Sequence, residues 1–172
     1  MLSELQRRLM DKVQKQTLPA RLLLSRFYFP DEELRRKSEY LDNSWSFWYY
    51  LGSEERPRRV LDVGSKLGLE AACCVLGARR SVLASVHAKR TRFTAVNLKL
   101  AGAGVEFDCG GDWDLALVGG DFLDRLDFIW GKMRLGGLIL TNDNEVLENF
   151  AKVKNRVPVF CKLRGVVGLL RK

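Results

Sequence analysis

Asp62, Gly64, Ser65 and Gly68 lie in the stretch RRVLDVGSKLGLEAACCVLG, Arg58 to Gly77, where their types and spacing are those of a ligand-holding turn. The apolar run Val60 to Val63 reads as a buried strand. Glycines at 64 and 68 remove side chains where a ligand must come close, and the helix that follows offers unpaired N–H groups at its N-terminus. Such a turn can hold a nucleotide-like ligand. It also serves any α/β domain as a tight strand-to-helix connection, so alone it is weak evidence. Lys66 stands mid-turn, where a third small residue is expected. With its side chain outward it removes only backbone flexibility, whereas a left-handed backbone there would strain or reshape the loop.

Few other residues have the types that catalysis needs. The single histidine, His87, argues against a histidine-based metal site or a catalytic triad, since both need several convergent groups. Of four cysteines, Cys73 and Cys74 are adjacent while Cys109 and Cys161 are isolated, which is neither a zinc spacing nor a disulfide framework. They read as buried small hydrophobes. Asp121, in DWDLALVGGDFLDRL, is the candidate catalytic base or substrate contact. With Asp124 three residues on, it also has an adequate role as the cap of a helix over 121–134.

The elements that must position these residues alternate. Residues 1–51 read as helical, with Leu2, Leu5, Leu9 and Val13 at helical spacing and Pro19 and Pro30 as punctuation. In DNSWSFWYYLGS, Asp42, Asn43 or Ser44 offers a cap and Gly52 a stop. From Val60 onward short apolar strands alternate with helices over 67–76, 88–101, 121–134 and 143–153, a pattern that calls for a parallel sheet covered on both faces. The last two strands, VPVFCKL and VVGLLRK, are joined only by Arg164 and Gly165, so they pair antiparallel. Between VEF and DLALV lie only the residues DCGGDW, too few for a crossover helix. That connection is either a bare loop or leaves an apolar face open, to be covered by the N-terminal helices, by SWSFWYYL, or by another subunit.

Seven strands with a reversed last one, behind a VLDVGSKLG turn, resemble the class I S-adenosylmethionine-dependent methyltransferases. The resemblance covers about residues 58–172, and it implies a Rossmann-like α/β fold with an antiparallel C-terminal hairpin and S-adenosylmethionine as cofactor. It divides the chain into an N-terminal helical cap, 1–57, packed on a methyltransferase-like domain, 58–172. Within it Asp62 would meet the ammonium of the cofactor's methionine part, beside Gly64, Ser65, Lys66 and Gly68. The family places an acid near the end of the second strand to accept hydrogen bonds from both ribose hydroxyls. Counting back from Asn97, that place falls near Ser85, so Ser85 or His87 would supply a weaker neutral bond. Gly119 stands where many O-methyltransferases carry a catalytic acid. Asp143 and Asn144 are similar to the metal-holding pair of the cation-dependent members, but without an acid at Gly119 no metal is expected. Lys89, Arg90 and Arg92, at the start of the helix after the second strand, suit a nearby phosphate or acidic partner, or a solvent-facing position. A nicotinamide dinucleotide phosphate is the distant alternative there, since GSKLG does not complete G-x-G-x-x-G.

Composition bounds the rest. A chain of 172 residues fits one domain that buries roughly two-thirds of its unfolded surface. No apolar run approaches the roughly 18 residues of a membrane span, and the charged, helical start is unlike a signal peptide, so the expectation is a soluble cytoplasmic protein. The net charge of +8 is carried in clusters, QRR, LRRK, RPRR, ARR and AKRTR, and such a field can attract nucleic acid or be only a solvated surface. The resemblance implies methyl transfer, O-methyltransferase-like, to a small-molecule or macromolecular acceptor. The competing expectation is a sheet that has lost catalysis and serves as a scaffold or binding subunit, with nucleic-acid contact and a homo-oligomer both open.

Overall fold

Four helices precede the first strand: α1 (Leu2–Lys15), α2 (Ala20–Leu24), α3 (Glu32–Glu39) and α4 (Asp42–Glu55). The computed structural model describes residues 1–87, 92–108 and 110–172, and only the backbone of Arg92. The face of α1 marked by its spacing, Leu5, Leu9 and Val13, is buried, and Asp31 caps α3 by accepting a hydrogen bond from Leu34 N at 2.7 Å. Two expectations for α4 are corrected. Asp42 does not cap α4, because its Oδ1 accepts from Ala20 N at 2.6 Å and so ties α2 to α4. Gly52 does not stop it either: the helix runs on to a left-handed C-cap at Arg56. Gly52 is there for packing. A Cβ on it would lie 1.9 Å from the carbonyl oxygen of Cys74, and one on Gly77 would lie 1.8 Å from that of Tyr49, so the next helix crosses α4 backbone to backbone.

The remaining elements are β1 (Arg59–Val63), α5 (Leu69–Ala78), β2 (Leu83–Val86), α6 (Arg92–Leu100), β3 (Gly104–Phe107), β4 (Trp113–Val118), a 3₁₀ turn (Gly120–Arg125), α7 (Leu126–Lys132), β5 (Met133–Thr141), α8 (Asn144–Val153), β6 (Val159–Lys162) and β7 (Val166–Arg171). They form one seven-stranded sheet in the order β3-β2-β1-β4-β5-β7-β6, with β7 antiparallel to both of its neighbours. The Rossmann-like α/β architecture and the reversed terminal strand are therefore as the sequence implies. The expected helix over 121–134 is divided: a 3₁₀ turn leads into α7, and β5 begins at Met133. Met133 pairs with Trp113, the ladder breaks, and it resumes at Leu138 opposite Leu115, with Gly136 at φ +81° between them.

Alternation along the strands separates two apolar layers. Val60, Ala84, Val86, Leu115, Leu138 and Leu169 face α1, α2, α4, α5 and α6 in one continuous core. Leu61, Val63, Ala116, Val118 and Ile139 face α7 and α8 in the other. Cys73, Cys74 and Cys161 are buried free thiols, their pKa values pushed up by burial, and Cys109 lies outside the described residues.

Only residues 108–112 separate the parallel strands β3 and β4, where a crossover helix is usual. Asp108, Gly110, Gly111 and Asp112 all have positive φ. A Cβ on Gly110 would sit 2.5 Å from Ser85 Oγ and 2.6 Å from Glu106 Oε1, so the glycine lets the loop lie directly on β2 and β3. Beneath it Trp113 Nε1 donates to Ser85 Oγ (3.0 Å), and Ser85 Oγ and Arg59 Nη2 both donate to Glu106 Oε1 (2.5 and 3.1 Å). The expectation that the N-terminal helices or SWSFWYYL cover this face is corrected, since the glycine crossing commits α4 to the opposite face.

Candidate functional site

A cavity of about 610 Å³ opens at the carboxyl ends of β1, β4 and β5. Asp62, Gly64, Ser65 and Gly119 of the sequence-derived set line it, together with Trp48 from α4 and Glu70 from the first turn of α5. The far wall is Thr141 to Asn144, where β5 leaves the sheet. Among the described residues no lysine or arginine lines this cavity, although the chain carries a net charge of +8.

Asp62 is fully buried. Burial is the main reason its carboxyl pKa is raised to about 7. A hydrogen bond from Ser65 Oγ to Oδ2 at 3.0 Å works against that rise, and the nearby Glu70 carboxyl adds to it. Among the described residues its second oxygen, Oδ1, is buried without a hydrogen-bond partner, and so is Asn144 Oδ1 on the opposite wall. Buried acceptors without donors are costly and uncommon, so both oxygens have room for a donor supplied by a water or a ligand. Burial raises the Glu70 pKa as well. Asp143 is in use as the N-cap of α8, accepting from Val146 N at 3.0 Å.

The glycines of the turn have different reasons. Gly64, at φ +94°, lets the chain leaving β1 lie against the loop after β4, where an added Cβ would be 2.0 Å from Gly119 O. Gly119 N in turn donates to Val63 O at 2.9 Å. Gly68, at φ +67°, makes room for α6: a Cβ there would lie 2.6 Å from Thr94 Cγ2. Lys66 is exposed, its backbone is outside the left-handed region, and it does not line the cavity, so the turn accommodates it. Asn97, fully buried, braces the turn: its Nδ2 donates to Leu67 O at 2.9 Å and to Tyr28 O at 3.1 Å.

The other candidates are placed elsewhere. Ser85 is buried under the β3–β4 loop with its hydroxyl engaged by Trp113 and Glu106, because its side chain points to the face of the sheet and not past the end of β2. His87 lies past that end. It is 37% exposed, stands 3.8 Å from Asp108 Oδ1 and meets the Phe122 ring edge-on at 5.2 Å. It lines a second cavity of about 380 Å³ on the incompletely covered face, with Leu61, Val86, Trp113 and Phe128. Val63, at the end of β1, lines both cavities. Asp121 is exposed in the 3₁₀ turn, lines neither cavity, and is not the cap of that turn, which starts from Gly119 without a side-chain cap. Lys89, Arg90 and the side chain of Arg92 lie outside the described residues.

Trp48 and Glu70 are among the lining residues that sequence reasoning missed, as are Thr141 and Asn142. Glu70 carried a usable signal, an acid two places after the capping Gly68, at a helix N-terminus where negative charge is favoured. Trp48 carried none, since it sits among buried aromatics, and only the crossing of α4 over α5 turns it toward the end of the sheet.

No family model and no curated protein matches the sequence. Solved structures do match. A SAH-bound methyltransferase of Podospora anserina is 14% identical, covers 99% of this chain and 96% of its own, and superposes with a TM-score of 0.62. An O-methyltransferase of Bacillus cereus in complex with SAH is 11% identical, with coverages of 93% and 100% and a TM-score of 0.56. An O-methyltransferase of Streptomyces achromogenes involved in tomaymycin synthesis, in complex with SAM, is 11% identical, with coverages of 88% and 94% and a TM-score of 0.55. Identities this low speak to architecture, and the architecture is common to all of them: this chain has the Rossmann-like fold of the class I methyltransferases.

Proposed function

We propose that this protein binds S-adenosylmethionine across the carboxyl ends of β1 and β4 and takes part in methyl transfer to an acceptor held over the same cavity. The observation that carries the reading is the acidic, cation-free cavity with the unpartnered oxygens of Asp62 and Asn144. S-adenosylmethionine, when bound, supplies a methyl group already activated on a sulfonium, so that the protein's task is mainly alignment. Asp62 and Glu70 offer negative charge to its ammonium group, and the aromatic ring of Trp48 offers a further surface that favours cations. Gly119 leaves the backbone bare where the ligand must approach. Because Val63 borders both cavities, a ligand lying across it would place its cationic end among the carboxylates and its aromatic end toward His87 and Phe122. The acceptor would enter beside Thr141 and Asn142.

Calorimetric titration with S-adenosylmethionine and with its demethylated product tests the reading. Micromolar affinity for both is expected, with at least a tenfold loss in Trp48→Ala. No heat at millimolar ligand with folded protein overturns it. One observation favours a second, non-catalytic reading, a scaffold that contacts nucleic acid: Ser85, which stands near the place of the ribose-binding acid, has its hydroxyl engaged beneath the loop and is not turned to the cavity. Binding without turnover across a panel of hydroxyl, amine and carbon acids would select it.

A further inference from the structure

We propose that the end of the sheet opposite the cavity, where Arg56, Arg58, Arg80 and Arg134 converge, grips the phosphate backbone of a single-stranded nucleic acid. This deepens the nucleic-acid reading by giving it a site, and it does not depend on cofactor binding. Arg56 and Arg58 belong to the loop between α4 and β1, Arg80 to the loop between α5 and β2, and Arg134 to the start of β5. All four lie at the amino ends of parallel strands, and they line a cleft of about 420 Å³ whose acids are Glu55 and Asp114.

Both carboxylates already have partners. Glu55 takes Arg171 in a two-pronged pair, Nη1 to Oε2 at 2.8 Å and Nη2 to Oε1 at 3.0 Å. Asp114 Oδ2 accepts from the backbone N of Arg58 and of Arg59 (2.7 and 2.9 Å), and its Oδ1 accepts from Arg134 Nη1 at 2.7 Å. Arg56, Arg58 and Arg80 are exposed and, among the described residues, have no carboxylate within ion-pair distance. Arg80 Nη1 donates to Arg56 O at 3.3 Å, which holds the two loops side by side.

The backbone carries an independent sign. Arg56 and Arg79, the C-caps of α4 and α5, are both left-handed, at φ +44° and +49°, in positions that glycine fills at lower cost. Arg79 turns its guanidinium to Tyr49 Oη, at 3.0 and 3.3 Å, and does not line the cleft, so of these two caps Arg56 is the one that presents its side chain there. In the other described basic clusters several cations already have carboxylate partners: Arg8 pairs with Glu4 on its own helix and with Glu54 of α4, Arg35 and Arg36 share Glu32, and Lys37 pairs with Glu33. The cations that line the cleft are all arginine, whose planar fork matches phosphate oxygens better than a lysine does. The cleft is small beside a duplex groove, and Leu135, 82% exposed at its rim, offers an apolar surface to an unstacked base.

Fluorescence anisotropy with a labelled 20-nucleotide single-stranded RNA tests this. Micromolar binding at low salt is expected, weakening with log[salt] at a slope of about −2, as for three phosphates on a single strand. The Arg56→Gln/Arg58→Gln/Arg80→Gln variant should lose at least tenfold in affinity and most of the slope. The control Arg35→Gln/Arg36→Gln/Lys37→Gln should bind as the wild type does. Should the triple variant not fold, Arg80→Gln alone should weaken binding about threefold and reduce the slope by about 0.7. Unchanged binding in these variants overturns the site while leaving a nucleic-acid contact elsewhere, and no binding at low salt overturns both. Tighter binding of duplex RNA, or equal competition by polyglutamate, overturns the choice of partner.

Discussion

At pH 8 the Asp62→Asn variant should unfold roughly 10 °C above the wild type and, at the same pH, bind S-adenosylmethionine far more weakly. The gain and the loss have one cause. In the folded protein the Asp62 carboxyl has its pKa raised to about 7, mainly by burial, against an ordinary value of 3.8. Between these values the folded state holds a proton that the unfolded chain has released, so folding stability falls as pH rises through that window. Below about pH 4 both states are protonated and the raised pKa has no effect. Above about pH 7 the folded protein carries a desolvated charge, at a cost on the order of 4 kcal/mol. Asparagine keeps the shape and removes that cost, and for a chain of this size each kcal/mol moves the melting temperature by about 2–4 °C. It also removes the anion that would meet the ligand's ammonium. Melting curves of both proteins from pH 4 to pH 9 should therefore separate as pH rises, while titrations of wild type show cofactor affinity increasing through pH 7. Melting temperatures that stay together at pH 8 would exclude an isolated buried carboxylate at this place.

Gly77→Ala should cost roughly 3 kcal/mol or more, at the upper end of what overpacking does. The added methyl would fall 1.8 Å from the carbonyl oxygen of Tyr49, and neither helix backbone can yield without moving the whole of α4 or α5. Gly52→Ala meets Cys74 O at 1.9 Å and should behave alike. Both variants would push back the helix that brings Trp48 to the cavity, so ligand affinity should fall with stability. Gly131→Ala is the matched control. It lies in α7 with nothing within 4 Å of an added Cβ, and should stabilise by about 0.5–1 kcal/mol through helix propensity. Urea unfolding of the three variants checks the contrast. A Gly77→Ala protein as stable as the wild type would mean that α4 and α5 do not touch at their backbones.

How much of this was legible beforehand depends on the range over which each feature is determined. The strand sequence and the reversed last strand follow from local signals, apolar runs of strand length and a two-residue link at Arg164 and Gly165, and the structure has both. The turn after Val63 was legible too, and Lys66 fits because the left-handed positions fall on Gly64 and Gly68 and not on it. Gly52 reads as a helix stop because a glycine in a helical run has the same local appearance whether it ends the helix or admits a neighbour, and the neighbour here, Cys74, lies more than twenty residues further on. Ser85 was placed by counting along one helix and strand, which cannot reveal that a loop from the far side of β3 lies on top of it. Asp121 looked like a cap because it precedes an apolar periodic run, but the run begins with a 3₁₀ turn whose cap is Gly119. Trp48 reaches the site only through tertiary packing.

The link between β3 and β4 sets how this protein can lengthen. Five residues do there what a strand-helix-strand unit does elsewhere, and one thickness of backbone covers β2 where a helix would lay down a full layer. An insertion at that link meets little resistance from chain entropy, since doubling a loop costs only about 0.6 kcal/mol. Any amphipathic turn it contributed would find Leu61, Val86, Trp113 and Phe128 waiting as a ready-made bed.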